Sequence, residues 1–196
     1  MKDKKKMVEN LTSELKFQII RQTALLHISQ AVQEMLRPLD LEQVLQVCLE
    51  ETKQMGLNVQ AMAIHRVIDP EQYIVETFRV GPQGAISVSE HRRGVGITEC
   101  WKTGQTSYGK AIQKETEERI SRFRNKFGGL PICSYIDIPF SQGVISAQSI
   151  HPDAFAETDE AILKQIAEIF SAGTSRVKDL EQVEAARQNL QEKIRL

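Results

Sequence analysis

The sequence predicts an α+β fold, an antiparallel sheet covered by helices, with long helices at both ends of the chain. Two pairs of apolar runs are joined by short turns: Val59 to Val67 with Tyr73 to Val80, and Ile132 to Phe140 with Val144 to Ile150. Links this short make neighbouring strands antiparallel. Helical apolar spacing runs from Asp3 to Leu36 without glycine or proline and returns from Thr158 to Leu196.

In the first helix Leu11, Leu15, Ile19, Leu26, Ile28, Val32 and Met35 give a partial stripe, ended by Arg37-Pro38. Asp40 is placed to cap the next helix, with Gln43 closing a capping box. Leu41, Val44, Leu45, Cys48, Leu49 and Met55 form its buried face as far as Gly56, which makes Cys48 a core residue. In the first strand Ala61, Ala63 and His65 share one face, and Met62, Ile64 and Arg66 the other. Asp69-Pro70-Glu71 is the turn of the first hairpin. After Gly81-Pro82 a short extended piece is expected over Ile86 to Ser89. Gly94, Gly96 and Gly104 frame a short helix over Val95 to Trp101, followed by a brief strand at Thr106 to Tyr108. Lys114 to Lys126 is polar, with Ile120, Phe123 and Phe127 at helical spacing, and Gly128-Gly129-Leu130-Pro131 stops it. Ile132 to Phe140 is the strongest strand pattern. It holds Asp137 between Ile136 and Ile138, and Ser141-Gln142-Gly143 turns it into the last strand.

Thr158 is placed to cap the final helix, with Asp159 and Glu160 at its electropositive start. From Thr158 to Leu196 that helix is about 58 Å long at roughly 1.5 Å per residue, longer than a domain of this size needs to cover its sheet. Ile166, Gly173, Leu180 and Ile194 form one heptad class, with Arg187, and Ile169, Val183 and Leu190 the other, with Arg176. This spacing predicts a homodimer seam through the terminal helices. The competing reading has the N-terminal helix cover Leu180 and Val183 within one copy.

The 25 basic and 26 acidic residues leave a formal charge of -1, which gives no general attraction to nucleic acid or an anionic membrane. Cys48, Cys100 and Cys133 stand apart without a CxxC, which fits a reducing cytoplasm rather than a disulfide framework. The chain lacks an apolar run of membrane-spanning length, so no direct membrane contact is expected.

The run Ser134 to Phe170 closely resembles the C-terminal half of a GAF domain. Ser134, Pro139, Gly143, Ser149, Pro152, Phe155 and Asp159 stand at its strand ends, turn and helix start. Arg93-Gly94-Val95-Gly96-Ile97 and Trp101-Lys102-Thr103-Gly104-Gln105 look like its glycine segment and the step after its short helix. The resemblance implies a six-stranded, profilin-like antiparallel sheet with helices on both faces. It implies a sensory domain, as in bacterial histidine kinases of two-component systems, whose flanking helices dimerise and relay a signal to an output domain beyond residue 196. The expected division is an N-terminal helix (1–36), a GAF-like domain (37–172) and a coiled-coil-like signalling helix (173–196).

The resemblance also implies a small-molecule pocket between the sheet and the segment from about Ile97 to Leu130. Its candidates are Trp101, Tyr108, Phe123, Phe127, Cys133 and Tyr135, with Asp137 at its rim or bonded to nearby backbone. In the competing reading these residues fill a packed core and the module only dimerises. Cyclic-nucleotide-binding members carry Asn-Lys-Phe followed by an acid pair. Asn125-Lys126-Phe127 is present here and the acid pair is not. Neither Cys100 nor Cys133 has the neighbouring histidine of bilin-binding members, and His27, His65, His91 and His151 are too scattered to be read as metal ligands. Relatives that reduce free methionine sulfoxide use a cysteine near the place of Cys133 and another in the glycine segment, where this chain has Gly96. On that ground the expectation is a non-enzymatic module, with cofactor and ligand unknown.

Overall fold

The computed structural model describes residues 2–36, 40–109 and 129–194. The elements are α1 (Lys2–Glu34), α2 (Leu41–Gln54), β1 (Ala61–Asp69), β2 (Ile74–Gly81), β3 (Gly84–Arg93), α3 (Val95–Thr103), β4 (Ser107–Gly109), β5 (Ser134–Phe140), β6 (Gly143–Ser149) and α4 (Glu157–Ile194). The strands pair in the order β3-β2-β1-β6-β5-β4, every neighbouring pair antiparallel. The expected segment over Lys114 to Lys126 lies outside the described residues.

Strand alternation divides the sheet into two unlike faces. Register sets Ile64 beside Phe78 and Ile145, and Ile145 beside Ile138. These residues, with Met62, Val80, Ile136 and Ala147, lie in one apolar core with α1, α2 and α4. Helix α2 presents Leu41, Val44, Leu45, Cys48, Leu49 and Thr52 to it at steps of three and four. The opposite face lies under α3, whose last turn is closed by Gly104 in the left-handed region at φ 66°. Glu90 to Arg93 carry β3 well past the expected piece at Ile86 to Ser89. As an edge strand it is held by its backbone ladder on one side, so its charged run needs no apolar alternation.

Two expected caps are built differently. Asp40 has helical dihedrals and makes no side-chain cap bond to α2; its Oδ2 instead accepts from the Leu36 amide at 3.0 Å. Helix α4 starts at Glu157 rather than after Thr158. Asp159 Oδ2 accepts from the Ala156 amide at 2.9 Å, which satisfies a donor that the first turn leaves open.

Helix α4 serves two environments. Ile162, Leu163, Ile166, Ala167, Phe170 and Val177 are buried in the protein's own core. Gly173 lies against α1, where a Cβ would stand 2.0 Å from Val32 Cγ1. The Arg176 guanidinium donates to the carbonyls of Gln33 and, at 2.6 Å, Met35, satisfying the end of α1. This corrects part of the expected seam. Ile166 is fully buried and Gly173 is filled by Val32, so neither is left to face a second copy, and Arg176 is occupied within the chain. Beyond Val177 the support ends: Leu180 is 43% and Val183 66% exposed. The contacts Val32 with Gly173 and Met35 with Arg176 advance in the same sense, so α1 and α4 run parallel. The first half of α1 is equally bare, with Met7, Leu11, Leu15 and Ile19 exposed, while Ala24, Ile28, Val32 and Met35 are buried. The side chains of Leu190 and Ile194 lie outside the described residues.

Candidate functional site: the polar face of the sheet

Inside the body, the face under α3 gathers buried polar side chains. Ala61, Ala63 and His65 of β1 point to it, with Thr77 and Arg79 of β2, Tyr135 and Asp137 of β5 with Cys133 just before it, and Ser146 and Gln148 of β6. The register turns these into rows across the sheet. Arg79 lies beside Ala63, Ala63 beside Ser146, and Ser146 beside Asp137. The next row sets Ala61 beside Gln148 and Gln148 beside Tyr135. Alanines on the central strand leave low ground between the longer polar side chains.

These groups are withdrawn from water: Arg79 is 2%, Gln148 2% and Asp137 7% exposed, and Thr77 is fully buried. Buried polar groups without partners cost free energy, so each contact matters. His65 Nδ1 and Thr77 Oγ1 are 2.9 Å apart. Ser146 donates its hydroxyl to Asp137 Oδ1. Gln148 Oε1 accepts no hydrogen bond among the described residues. Tyr135 is half-buried, and its ring covers Gly109 so closely that a Cβ there would stand 2.0 Å from Cε1.

All three cysteines are free and buried. Cys100 on α3 donates to the Gln105 carbonyl at 3.2 Å and lies 3.7 Å from the Asp137 carbonyl. Burial, and then the Asp137 charge, push its thiol up to about 12. Cys133 Sγ is 3.1 Å from the Pro131 carbonyl. Cys48 lies in the helical core, its thiol raised by burial and then by Glu51.

The sequence-derived candidates are dispersed. Cys133, Tyr135 and Asp137 share the polar face. Trp101 instead sits in the last turn of α3 beside the β5–β6 turn, donating its indole N–H to the Ser141 carbonyl at 3.2 Å. Tyr108 pairs with Ile136 and so points to the helical side, where its hydroxyl donates to Glu160 Oε2 at 2.5 Å. Neither belongs with Tyr135, because strand alternation and the end of α3 turn them elsewhere. Phe123 and Phe127 lie outside the described residues. Arg79, His65, Thr77, Ser146 and Gln148 were not among the candidates. Their signal is a polar residue at every second position of an otherwise apolar strand, as with Ser146 and Gln148 around Ala147 in β6.

No family model matches this chain, and no curated protein matches it. Solved structures do. The GAF domain of a phosphoenolpyruvate-protein phosphotransferase from Coxiella burnetii aligns with TM-score 0.59 at 15% identity, over 82% of this chain and 96% of that one. A free methionine-R-sulfoxide reductase from Neisseria meningitidis, in complex with its substrate, aligns with TM-score 0.56 at 20% identity, over 81% and 90%. The chromophore-binding domain of a bacteriophytochrome from R. palustris aligns with TM-score 0.60 at 9% identity, over 86% and 63%. Further reductase structures, from Staphylococcus aureus and Thermoplasma acidophilum, align over 80% of this chain. They overturn the expectation of a non-enzymatic module, because the same fold houses redox catalysts. The chain has a GAF-like fold, one that signalling domains and sulfoxide reductases share.

Proposed function

We propose that this protein is a ligand-responsive regulatory module of the GAF type. A small polar molecule binds on the polar face, and α4 relays its arrival through a helix dimer. The observation that carries this reading is the buried polar face itself, above all the Gln148 side-chain Oε1, which accepts no hydrogen bond among the described residues. A core built only for stability would place apolar side chains there. Arg79 and Asp137 add charges of both signs, which suit a ligand with complementary ends. Relay requires two arrangements of α4 with different ligand affinity. The route is short: α4 packs on β5, and Asp137 is a β5 residue.

The partner in this reading is a second copy. The apolar residues bared on the first half of α1 and beyond Val177 on α4 supply the surface, and 173–196 serves as the signalling segment. An output domain of the histidine-kinase kind is the receiver that the fold resemblance implies. Three free thiols fit a cytoplasmic setting, and among the described residues no helix is long and apolar enough to cross a membrane. Native mass spectrometry of protein purified without denaturation tests the ligand. A dimer carrying a small-molecule adduct that Arg79→Ala removes is expected. An adduct-free protein that also fails to bind any member of a metabolite panel contradicts the reading.

A second reading follows from the reductase structures, with Cys133 as nucleophile. Its thiolate attacks the sulfoxide sulfur; the oxygen passes to Cys133 as a sulfenic acid and free methionine leaves. A second thiol then forms a disulfide with Cys133 and releases water, and an external dithiol restores both thiols. Cys100 lies beside Asp137, four residues along the extended chain from Cys133, or about 13 Å at roughly 3.3 Å per residue. A disulfide between them therefore requires α3 or the start of β5 to move. Incubation with free methionine-R-sulfoxide and a dithiol tests this reading: methionine formation lost in Cys133→Ser supports it, and none above the protein-free control contradicts it.

A further inference from the structure

A groove of about 370 Å³ lies away from the polar face, where the β5–β6 turn meets both terminal helices. Its floor is apolar, made by Met35, Leu41, Val67 and Val177. Three of these side chains are under 5% exposed, so the floor is fixed by the core beneath it. One wall is the indole of Trp101, held by its bond to the Ser141 carbonyl. Lys178 and Arg66 supply two cations at the rim, and no acid lines the groove among the described residues. Glu76 takes one Arg66 nitrogen at 2.8 Å, while Lys178 has no acidic partner among the described residues.

We infer that this groove is a second ligand site, selective for a small amphipathic anion such as an aromatic or branched aliphatic carboxylate. The volume falls in the lower range of small-molecule sites, and such sites combine an apolar lining with a few placed polar groups. The indole face and the aliphatic floor take the hydrocarbon part. The carboxylate meets Lys178, with the remaining Arg66 N–H groups and the Ser141 and Gln142 side chains within the same rim. A neutral or cationic analogue of equal size lacks that attraction, so charge selectivity is the signature of the site. An occupant would touch the end of α1, the β5–β6 turn and α4 together. This inference stands on the groove alone and not on the polar face.

Trp101 is the only tryptophan in the chain, so its emission reports the groove without a label. The test is titration of the full chain with phenylacetate, phenylacetamide and benzylamine, followed by tryptophan fluorescence. Phenylacetate is expected to give a saturable change with half-saturation near ~1 mM, the affinity of a small fragment. Phenylacetamide and benzylamine are expected to bind about tenfold more weakly or worse. Lys178 is exposed, so Lys178→Glu is compatible with the fold; it should raise the phenylacetate midpoint about tenfold, and Lys178→Gln by less. A linear, unsaturating response, equal midpoints for the acid and its amide, or an unchanged midpoint in Lys178→Glu overturns the proposal.

Discussion

Glu160 receives three side-chain hydrogen bonds at the start of α4, from Lys164 at 2.8 Å, Thr106 at 2.6 Å and Tyr108. These donors, Lys164 first, hold its carboxyl at about 2, against an ordinary value of 4.5. Its contribution to stability is therefore complete above pH 4.5 and lost as pH falls toward 2. Urea denaturation between pH 5 and 2 should show an acid-side decline that is shallower in Glu160→Gln; parallel curves for the two proteins would refute the assignment. Tyr108 is shifted the other way, pushed up to about 12 by burial and then by Glu160. Cys100 follows the same sign: ionisation in the unfolded chain near 9 outruns that in the fold, so stability falls as pH rises from 9 toward 12. Cys100→Ala should flatten that alkaline decline, and at neutral pH its thiol should be alkylated far more slowly than a free thiol.

Among elements, the junction of α1 with α4 carries the sharpest expectations. Gly173→Leu drives a side chain into Val32, and overpacking of this kind costs about 1–3 kcal/mol. Arg176→Ala frees the two carbonyls at the end of α1, a loss of about 1.5–3 kcal/mol for hydrogen bonds to a charged group. Chemical denaturation at neutral pH measures both, and unchanged midpoints would show that α1 is not fastened there. The sequence spacing puts Gly173 and Arg176 in a heptad seam. They are contacts within one chain, and spacing alone does not say which of two neighbours a helical position meets. The hairpins, α2 and α3 were legible because alternation, three-four spacing and framing glycines all act locally. The full length of β3 was not, since an edge strand is held by backbone pairing that leaves no apolar period. Of the polar face, Asp137 stood out as an acid among branched apolar residues. Arg79 and Gln148 did not, because a polar residue every second position reads equally well as a solvated face until another layer covers it.

At the scale of the whole molecule, one sheet separates two tasks. Its apolar face and three helices supply the stability, with Phe78 and Phe170 among the largest fully buried side chains. Phe78→Ala should cost about 3–5 kcal/mol. The other face holds buried charged and amide side chains, among them Arg79, Asp137 and Gln148. The terminal helices carry their exposed apolar residues away from the body, and this is where a second copy is expected to join. Light scattering on a Leu180→Asp, Val183→Asp double variant should report a monomer with unchanged far-ultraviolet circular dichroism; a dimer of native mass would place the contact elsewhere.

The measurement that separates a ligand face from a structural one is the stability of Gln148→Leu without ligand. Leucine nearly preserves the volume and removes a buried side-chain oxygen that has no donor among the described residues, so if the amide is kept for a ligand the variant should be at least as stable as the native protein. A loss of about 1–3 kcal/mol in urea denaturation would mean that the amide is already satisfied by the fold, and the polar face would then be structural rather than a binding site.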